Sequence, residues 1–317
     1  MSRERKKWYF LVALLLFCAA LYTAVVYSDQ SLAFFVASHQ GHRNEVLFVT
    51  AIYGTYENTL KPPQPQTIPA RFVAYTDRED LIASPGWEVH LVKDPAMYTT
   101  QSNLTGRNDL TNNKHPFNRA KFFKQQFHTL PILQGHRIAI WLDGTVHITN
   151  RSTAETIKNL VESDGRNIII YEHNREGVVG REATASKGHK YFSTHWGCCD
   201  QPMQNVTEQY DRYSLLGFQE RWWLQEYDAP LGIGKREQYG LWVTCFVAFD
   251  MLDPVSRRFL DTWWQHNVEF TTQDQVSFPF VAWKLKVYPF SLPVKGLIEG
   301  DFNKNDLFEK LNHGLRL

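Results

Sequence analysis

His136-Arg-Ile-Ala-Ile-Trp-Leu-Asp-Gly-Thr145 is an apolar, β-branched run that stops at Asp143-Gly144. Such a composition describes a strand covered on both faces, as in a parallel sheet. Open α/β sheets bind ligands just beyond the carboxyl ends of their strands. A carboxylate placed there can hold a divalent ion or a hydroxyl group. An aspartate before glycine also starts a turn with no ligand at all. Read alone, the segment decides the fold class and leaves the chemistry open.

Working outward, the same pattern recurs. Glu45 to Tyr53 reads as a buried strand ending at Gly54, and Arg71 to Asp77 as a second ending on an acid. Trp87 to Val92 alternates as a third. Asn118 to Leu130 has helical spacing: Ala120, Phe123, Phe127 and Leu130 form one stripe, and Lys121, Lys124, Gln125 and His128 the other. After the Asp143 strand, Ser152-Thr-Ala-Glu155 spells a capping box for a helix. Asn167 to His173 is a further strand with polar residues at its end. Leu241 to Phe249 is another, and Asp253-Pro254 opens a helix with cap and proline in order. Val255, Phe259 and Trp263 supply that helix's apolar face. Alternating strands and helices predict a mainly parallel central sheet flanked by helices. The loop Leu60 to Pro69, rich in proline, reads as linker or loop.

The N-terminus speaks to compartment. Arg3, Arg5, Lys6 and Lys7 precede an uncharged apolar run from Trp8 to Tyr27. About twenty such residues cross a hydrocarbon core. Basic residues before the run and Asp29 after it leave the N-terminus cytoplasmic. A cleaved signal peptide is the competing reading, but the run continues past the small residues at Cys18-Ala-Ala20. The expected organisation is a tail over 1–7, a transmembrane signal anchor over 8–27, a stem over 28–43 and one domain over 44–317. This describes a single-pass type II membrane protein of the Golgi with a lumenal domain. The tail holds four of the 34 basic residues and one of the 33 acidic ones, so the remainder carries 30 against 32, a net of −2. That balance leaves no footprint for nucleic acid. Sequons at Asn103, Asn150 and Asn205 all fall on the lumenal side. Of four cysteines, Cys18 is in the apolar run, and Cys198 or Cys199 pairing with Cys245 is the economical bridge.

Several polar residues stand where chemistry can be done, each beside a plainer explanation. With Thr272 as cap, Gln275 completes a capping box and Asp274 meets the positive end of a helix. The same carboxylate and amide can grip sugar hydroxyls or stabilise positive charge at an anomeric carbon. Asp77 can accept bonds from a ribose or a uracil ring, or start the turn Thr76-Asp-Arg-Glu79. Arg119 and Lys121 can neutralise a diphosphate; a solvated helix face is the alternative, and the better one for Lys124. Tyr53 can stack on a nucleobase or be an ordinary rim aromatic. Leu231-Gly-Ile-Gly-Lys-Arg236 is not a P-loop, since Ala229 replaces its first glycine and Arg236 its Ser/Thr. His189, His195, Cys198 and Cys199 match no usual zinc spacing.

Taken in order, six segments resemble one family. They are Val49-Thr-Ala-Ile-Tyr-Gly54, Phe72-Val-Ala-Tyr-Thr-Asp77, Asn118-Arg-Ala-Lys-Phe-Phe-Lys124, Trp141-Leu-Asp-Gly144, Glu172-His-Asn-Arg175 and Thr272-Gln-Asp-Gln-Val-Ser-Phe278. The set is similar to the glycosyltransferase-like family long catalogued as domain of unknown function 616, whose plant members are named for turgor-regulation and mucilage phenotypes. It spans about Val46 to Pro289. The resemblance implies a GT-A-like fold and transfer of a hexose from a nucleotide diphosphate sugar to a glycan or glycoconjugate. It matches Asp143 to the acid of a Trp-x-Asp segment, Lys121 to a helix lysine, His173 to a histidine after the next strand, and Asp274-Gln275 to an Arg-Asp-Gln-like site. Here Gln273 stands where many relatives have arginine. Thr145 stands where an Asp-x-Asp motif has its second acid, so dependence on Mn²⁺ or Mg²⁺ bound at Asp143 is an open expectation. Two rivals remain: a catalytically inactive, membrane-tethered carbohydrate-binding or scaffold protein, and a hydrolase using Asp143 with Asp274 as a carboxylate pair.

Overall fold

Strand β1 (Val46–Ile52) is buried along its whole length, and its apolar side chains divide between two faces. On one flank it pairs in parallel with β2 (Ala70–Thr76), which pairs in parallel with β3 (Trp87–Leu91). Helix α1 (Pro116–Gln125) precedes β4 (Ile138–Leu142), which lies parallel to β1 on its other flank. Then come β5 (Val146–Ile148), α2 (Thr153–Glu162) and β6 (Ile168–Glu172). A two-residue pair, β7 (His195–Trp196) with β8 (Cys199–Asp200), and helix α3 (Val206–Leu215) follow. Strand β9 (Trp242–Asp250) runs antiparallel between β4 and β6. Helices α4 (Pro254–Glu269) and α5 (Asp274–Leu285) precede the edge strand β10 (Phe290–Leu292), parallel to β6. Strand β11 (Phe308–Lys310) pairs antiparallel with β5. The main sheet has the order β10-β6-β9-β4-β1-β2-β3, with β9 its one antiparallel member.

This computed structural model describes residues 46–55, 57–93, 116–133, 135–172, 195–196, 199–200, 206–218, 242–270, 274–292 and 306–311. All lie within the unit Glu45–Leu317. The expected tail, membrane helix and stem fall outside the described residues. Among the described residues no helix is long and apolar enough to cross a membrane.

Mixed α/β architecture with a mostly parallel central sheet is what the sequence predicted. Every residue of β4 is buried, because the sheet is covered on both faces. Ala139 and Trp141 join the core with Phe123 of α1, Trp263 of α4 and Phe278 of α5; Ile138, Ile140 and Leu142 join the opposite core with Ile157 of α2 and Phe308 of β11. Parity therefore sends residue 143 toward the side occupied by α1 and α5.

Three local expectations are corrected. Ser152 makes no side-chain cap; Asn150 Oδ1 accepts from Ser152 N and Oγ instead, and Gln66 Oε1 accepts from Ala154 N. Glu155 is drawn to Thr67 Oγ1, so the capping box does not close, and the proline-rich loop is docked on the start of α2. Helix α1 ends at Gln125, and the backbone leaves helical values at Gln126 (φ −123°, ψ 17°) before two short 3-10 turns. Leu130 is extended (ψ 134°), as a residue before proline must be. Cys245 is a free, buried thiol packed in the core with Val243 and Phe246, so the expected bridge to Cys198 or Cys199 is not formed. Burial pushes that thiol up to about 12.

The Asp253-Pro254 start of α4 forms as read, with Asp253 Oδ1 accepting from Val255 N at 2.7 Å. Asp253→Ala is expected to lower stability by about 1 kcal/mol, while Asp253→Ser keeps most of it; urea unfolding of the two variants checks this.

Candidate active site

The order β3-β2-β1-β4 reverses direction between β1 and β4, which makes their carboxyl ends a topological switch point. Tyr53, Asp77 and Asp143 are the residues just past the ends of β1, β2 and β4. Each continues the parity that puts Ala51, Tyr75 and Trp141 in the α1 core. Three strands thus deliver polar residues to one side of the sheet, where α1 carries Arg119, Lys121 and Lys124.

Four charges form the centre. The Lys121 ammonium donates to Asp274 Oδ2. Lys124 donates to the same oxygen at 2.5 Å and to Asp143 Oδ1 at 3.2 Å. Trp141 Nε1 also donates to Asp143 Oδ1, at 2.6 Å. Lys124 lies 5.8 Å from the ring centre of Trp141 and 5.7 Å from that of Trp263, which adds cation–π attraction. Its side chain is 1% exposed, against 13% for Lys121 and 35% for Asp143. Asp143 and Lys121 form the more open edge of the cluster, and Lys124 its floor.

Burial alone would raise the Asp274 carboxyl; Lys121 and Lys124 outweigh it and hold it well below the usual carboxylate range. Asp143 follows the same balance, burial being overcome by Lys124 and then Lys121. Burial lowers the Lys121 ammonium, helped by Lys124 and resisted by Asp274. For Lys124 burial also lowers, but Asp143 and Asp274 reverse it and the ammonium is raised.

A second group holds the loop after β1. Gly54 (φ +69°) takes a left-handed conformation that favours glycine, and its N–H donates to Asp77 Oδ1 at 3.0 Å. Arg119 Nη1 donates to Asp77 Oδ2 at 3.3 Å. Arg78 reaches the carbonyl of Glu57 at 2.8 Å and Asn58 Oδ1 at 2.9 Å while gripping Asp80 with two nitrogens. Gly144 is fixed from below. A Cβ there would meet Ile52 Cγ1 at 3.2 Å and Glu57 Cγ at 3.3 Å. Gly144→Ala is expected to cost about 1–2 kcal/mol by overpacking, seen as a lowered thermal midpoint.

Of the residues singled out in the sequence, Asp143, Lys121 and Asp274 are brought together, and Asp77 joins α1 through Arg119. Gln275 is half-buried beside Asp274. Tyr53 is wholly buried: its ring stacks on Phe123 at 5.5 Å, lies 5.9 Å from the Arg119 guanidinium carbon, and its hydroxyl donates to the Val92 carbonyl. Stacking on a nucleobase is closed to it. Lys124 is a correction, since it was read as a solvated face and is the most buried cation of the site. Its partner Asp274 comes from a distant part of the chain, so the spacing of α1 alone does not signal the burial. Asn150 Nδ2, the atom a glycan would use, donates to the Asp306 carbonyl at 2.9 Å. His173, Thr272, Gln273, Asn103 and Asn205 lie outside the described residues.

No three His, Cys, Asp or Glu side chains converge on a metal position among the described residues. The donor set explains why: the space between Asp143 and Asp274 is taken by an ammonium.

No family model and no curated protein matches the chain, so the family that the sequence resembles is not confirmed. Among solved structures, mouse xyloside xylosyltransferase 1 in its apo form is similar over 78% of this chain and 85% of that one, at 9% identity and TM-score 0.43. The WbbM bifunctional glycosyltransferase in its apo structure is similar over 79% of this chain, at 11% identity and TM-score 0.40. This chain spans 39% of that protein's length. Likeness this distant carries no functional argument.

Proposed function

We propose that the chain is a glycosyltransferase that moves a hexose from a nucleotide diphosphate sugar to a glycan or glycoconjugate acceptor. One observation carries the reading: acids and lysines far apart in the chain meet at the carboxyl ends of parallel strands, at the topological switch point. Lys121 and Arg119 are the cations available to a leaving diphosphate. Asp143, open and ionised, accepts from hydroxyls of the donor sugar. Asp274 faces the reacting centre with Gln275 beside it, and His173, outside the described residues, is assigned to the reacting sugars from the sequence resemblance alone. Asp77 works through Gly54 and Arg119, fixing the loop that borders the nucleoside. In this reading the chain is anchored by its N-terminal apolar run with the domain in the Golgi lumen, and Asn103 and Asn205 are sites for glycans.

The charge state of the cluster speaks against hydrolysis by a carboxylate pair. A glycosidase needs one carboxyl kept protonated near neutral pH. Asp143 and Asp274 share an ammonium and are both held ionised. Neither is an acid.

The test is the full chain in detergent, offered a panel of nucleotide sugars with released nucleoside diphosphate as readout. Asp143→Asn is expected to slow turnover on the order of a hundredfold or more. Turnover that survives intact in the variant removes Asp143 from the mechanism. No turnover with any donor, and no thermal stabilisation by a nucleoside diphosphate, leaves the catalytically inactive carbohydrate-binding or scaffold protein.

A further inference from the structure

We infer that the Lys124 ammonium occupies the place of a divalent cation in this site, so that the native chain binds none between Asp143 and Asp274. A metal bridging two carboxylates takes one oxygen from each and accepts further ligands around it. Here one ammonium bridges the two groups, at 3.2 Å from Asp143 Oδ1 and 2.5 Å from Asp274 Oδ2. Its stem is sealed in the core, and the Trp141 and Trp263 rings flank its head. Trp141 Nε1 donates to the same Asp143 oxygen, so that oxygen already accepts from two donors. The second acid of an Asp-x-Asp arrangement is absent as well: position 145 is a buried threonine. The positive charge that a bound ion would bring is thus encoded in the polypeptide.

The inference concerns the cation of the site and rests on the transferase reading only for its effect on turnover. Its test reads metal binding, so the two can fail separately. The full chain in detergent is titrated with MnCl₂ and bound Mn²⁺ is counted by electron paramagnetic resonance, with thermal melting alongside. The native chain is expected to bind no Mn²⁺ that Asp143→Asn abolishes. Lys124→Ala vacates the bridge and leaves two carboxylates with one remaining lysine. It is expected to gain one bound Mn²⁺ per chain and to melt several degrees higher in millimolar MnCl₂ than in chelator. Native binding of one Mn²⁺ that is lost in Asp143→Asn overturns the inference, as does a folded Lys124→Ala that gains none. Should Lys124→Ala fail to fold, the native and Asp143→Asn titrations decide alone: absence of an Asp143-dependent ion supports it, presence overturns it.

Discussion

Asp274→Ala is expected to cost about 3–5 kcal/mol of folding stability, because removing one partner of a buried ion pair strands the other. The urea midpoint should fall steeply with the slope kept. Two ammoniums lose their shared acceptor at once, and one of them, Lys124, has almost no access to water. Lys124 keeps Asp143, at 3.2 Å, while Lys121 keeps only the more distant attraction of that group. Removing charge in balance should hurt less: Lys124→Met with Asp274→Leu leaves Lys121 facing Asp143, a neutral pair, and should recover much of the single-variant loss. A double-mutant cycle measures that coupling. The sign of the pH dependence follows from the direction of the shifts. Asp274 and Asp143 are depressed in the fold, so their contribution is complete above the unfolded value of about 4 and is lost as pH falls through the lower folded value. Native stability should therefore decline on the acid side below about pH 4, and Asp274→Ala should show a flatter acid limb.

Strand parity made much of this site legible. Ala139, Trp141 and Asp143 alternate with Ile138, Ile140 and Leu142, so the face receiving Asp143 was fixed once the run was read as a strand buried on both sides. Leu47 to Tyr53 and Val73 to Asp77 obey the same rule. The misreading of Lys124 has a physical origin. Periodicity registers burial by apolarity, and a lysine buried by pairing looks the same on a helical wheel as one in water. Its partner Asp274 is 150 residues away in the chain. Nothing local announces it. The Ser152 cap failed for a related reason: Asn150 and Gln66 supplied acceptors that outcompeted the nearby hydroxyl, and Gln66 comes from a loop remote in sequence. Tyr53 was placed correctly in order but misjudged in exposure, since Phe123 of α1 closes over its ring. Parity says which face a side chain takes; it does not say what arrives to cover it.

Lys121→Met is expected to weaken binding of a nucleotide diphosphate sugar roughly tenfold to a hundredfold, the worth of a hydrogen bond between charged groups. The fold should survive, because Lys124 still holds Asp274 and Asp143 together. The two lysines divide the work. Lys124 is immobilised at the floor, whereas Lys121 is at the open edge and, among the described residues, bonded to Asp274 alone. An incoming diphosphate brings acceptors stronger in charge than the carboxylate that Lys121 already holds. The ammonium can turn to it while Lys124 keeps Asp274 neutralised, so the exchange strands no charge. Burial lowers the Lys121 pKa, and Lys124 adds to this. Only the protonated amine attracts the diphosphate, so affinity should begin to fall on the alkaline side at a lower pH than an ordinary lysine would give. Lys121→Arg keeps the charge at all accessible pH and should flatten that alkaline fall, even if its bulkier head weakens binding overall. Calorimetric titration with nucleoside diphosphates across pH reads both variants. Equal affinities for the native chain and Lys121→Met would take the diphosphate away from Lys121 and leave it to Arg119.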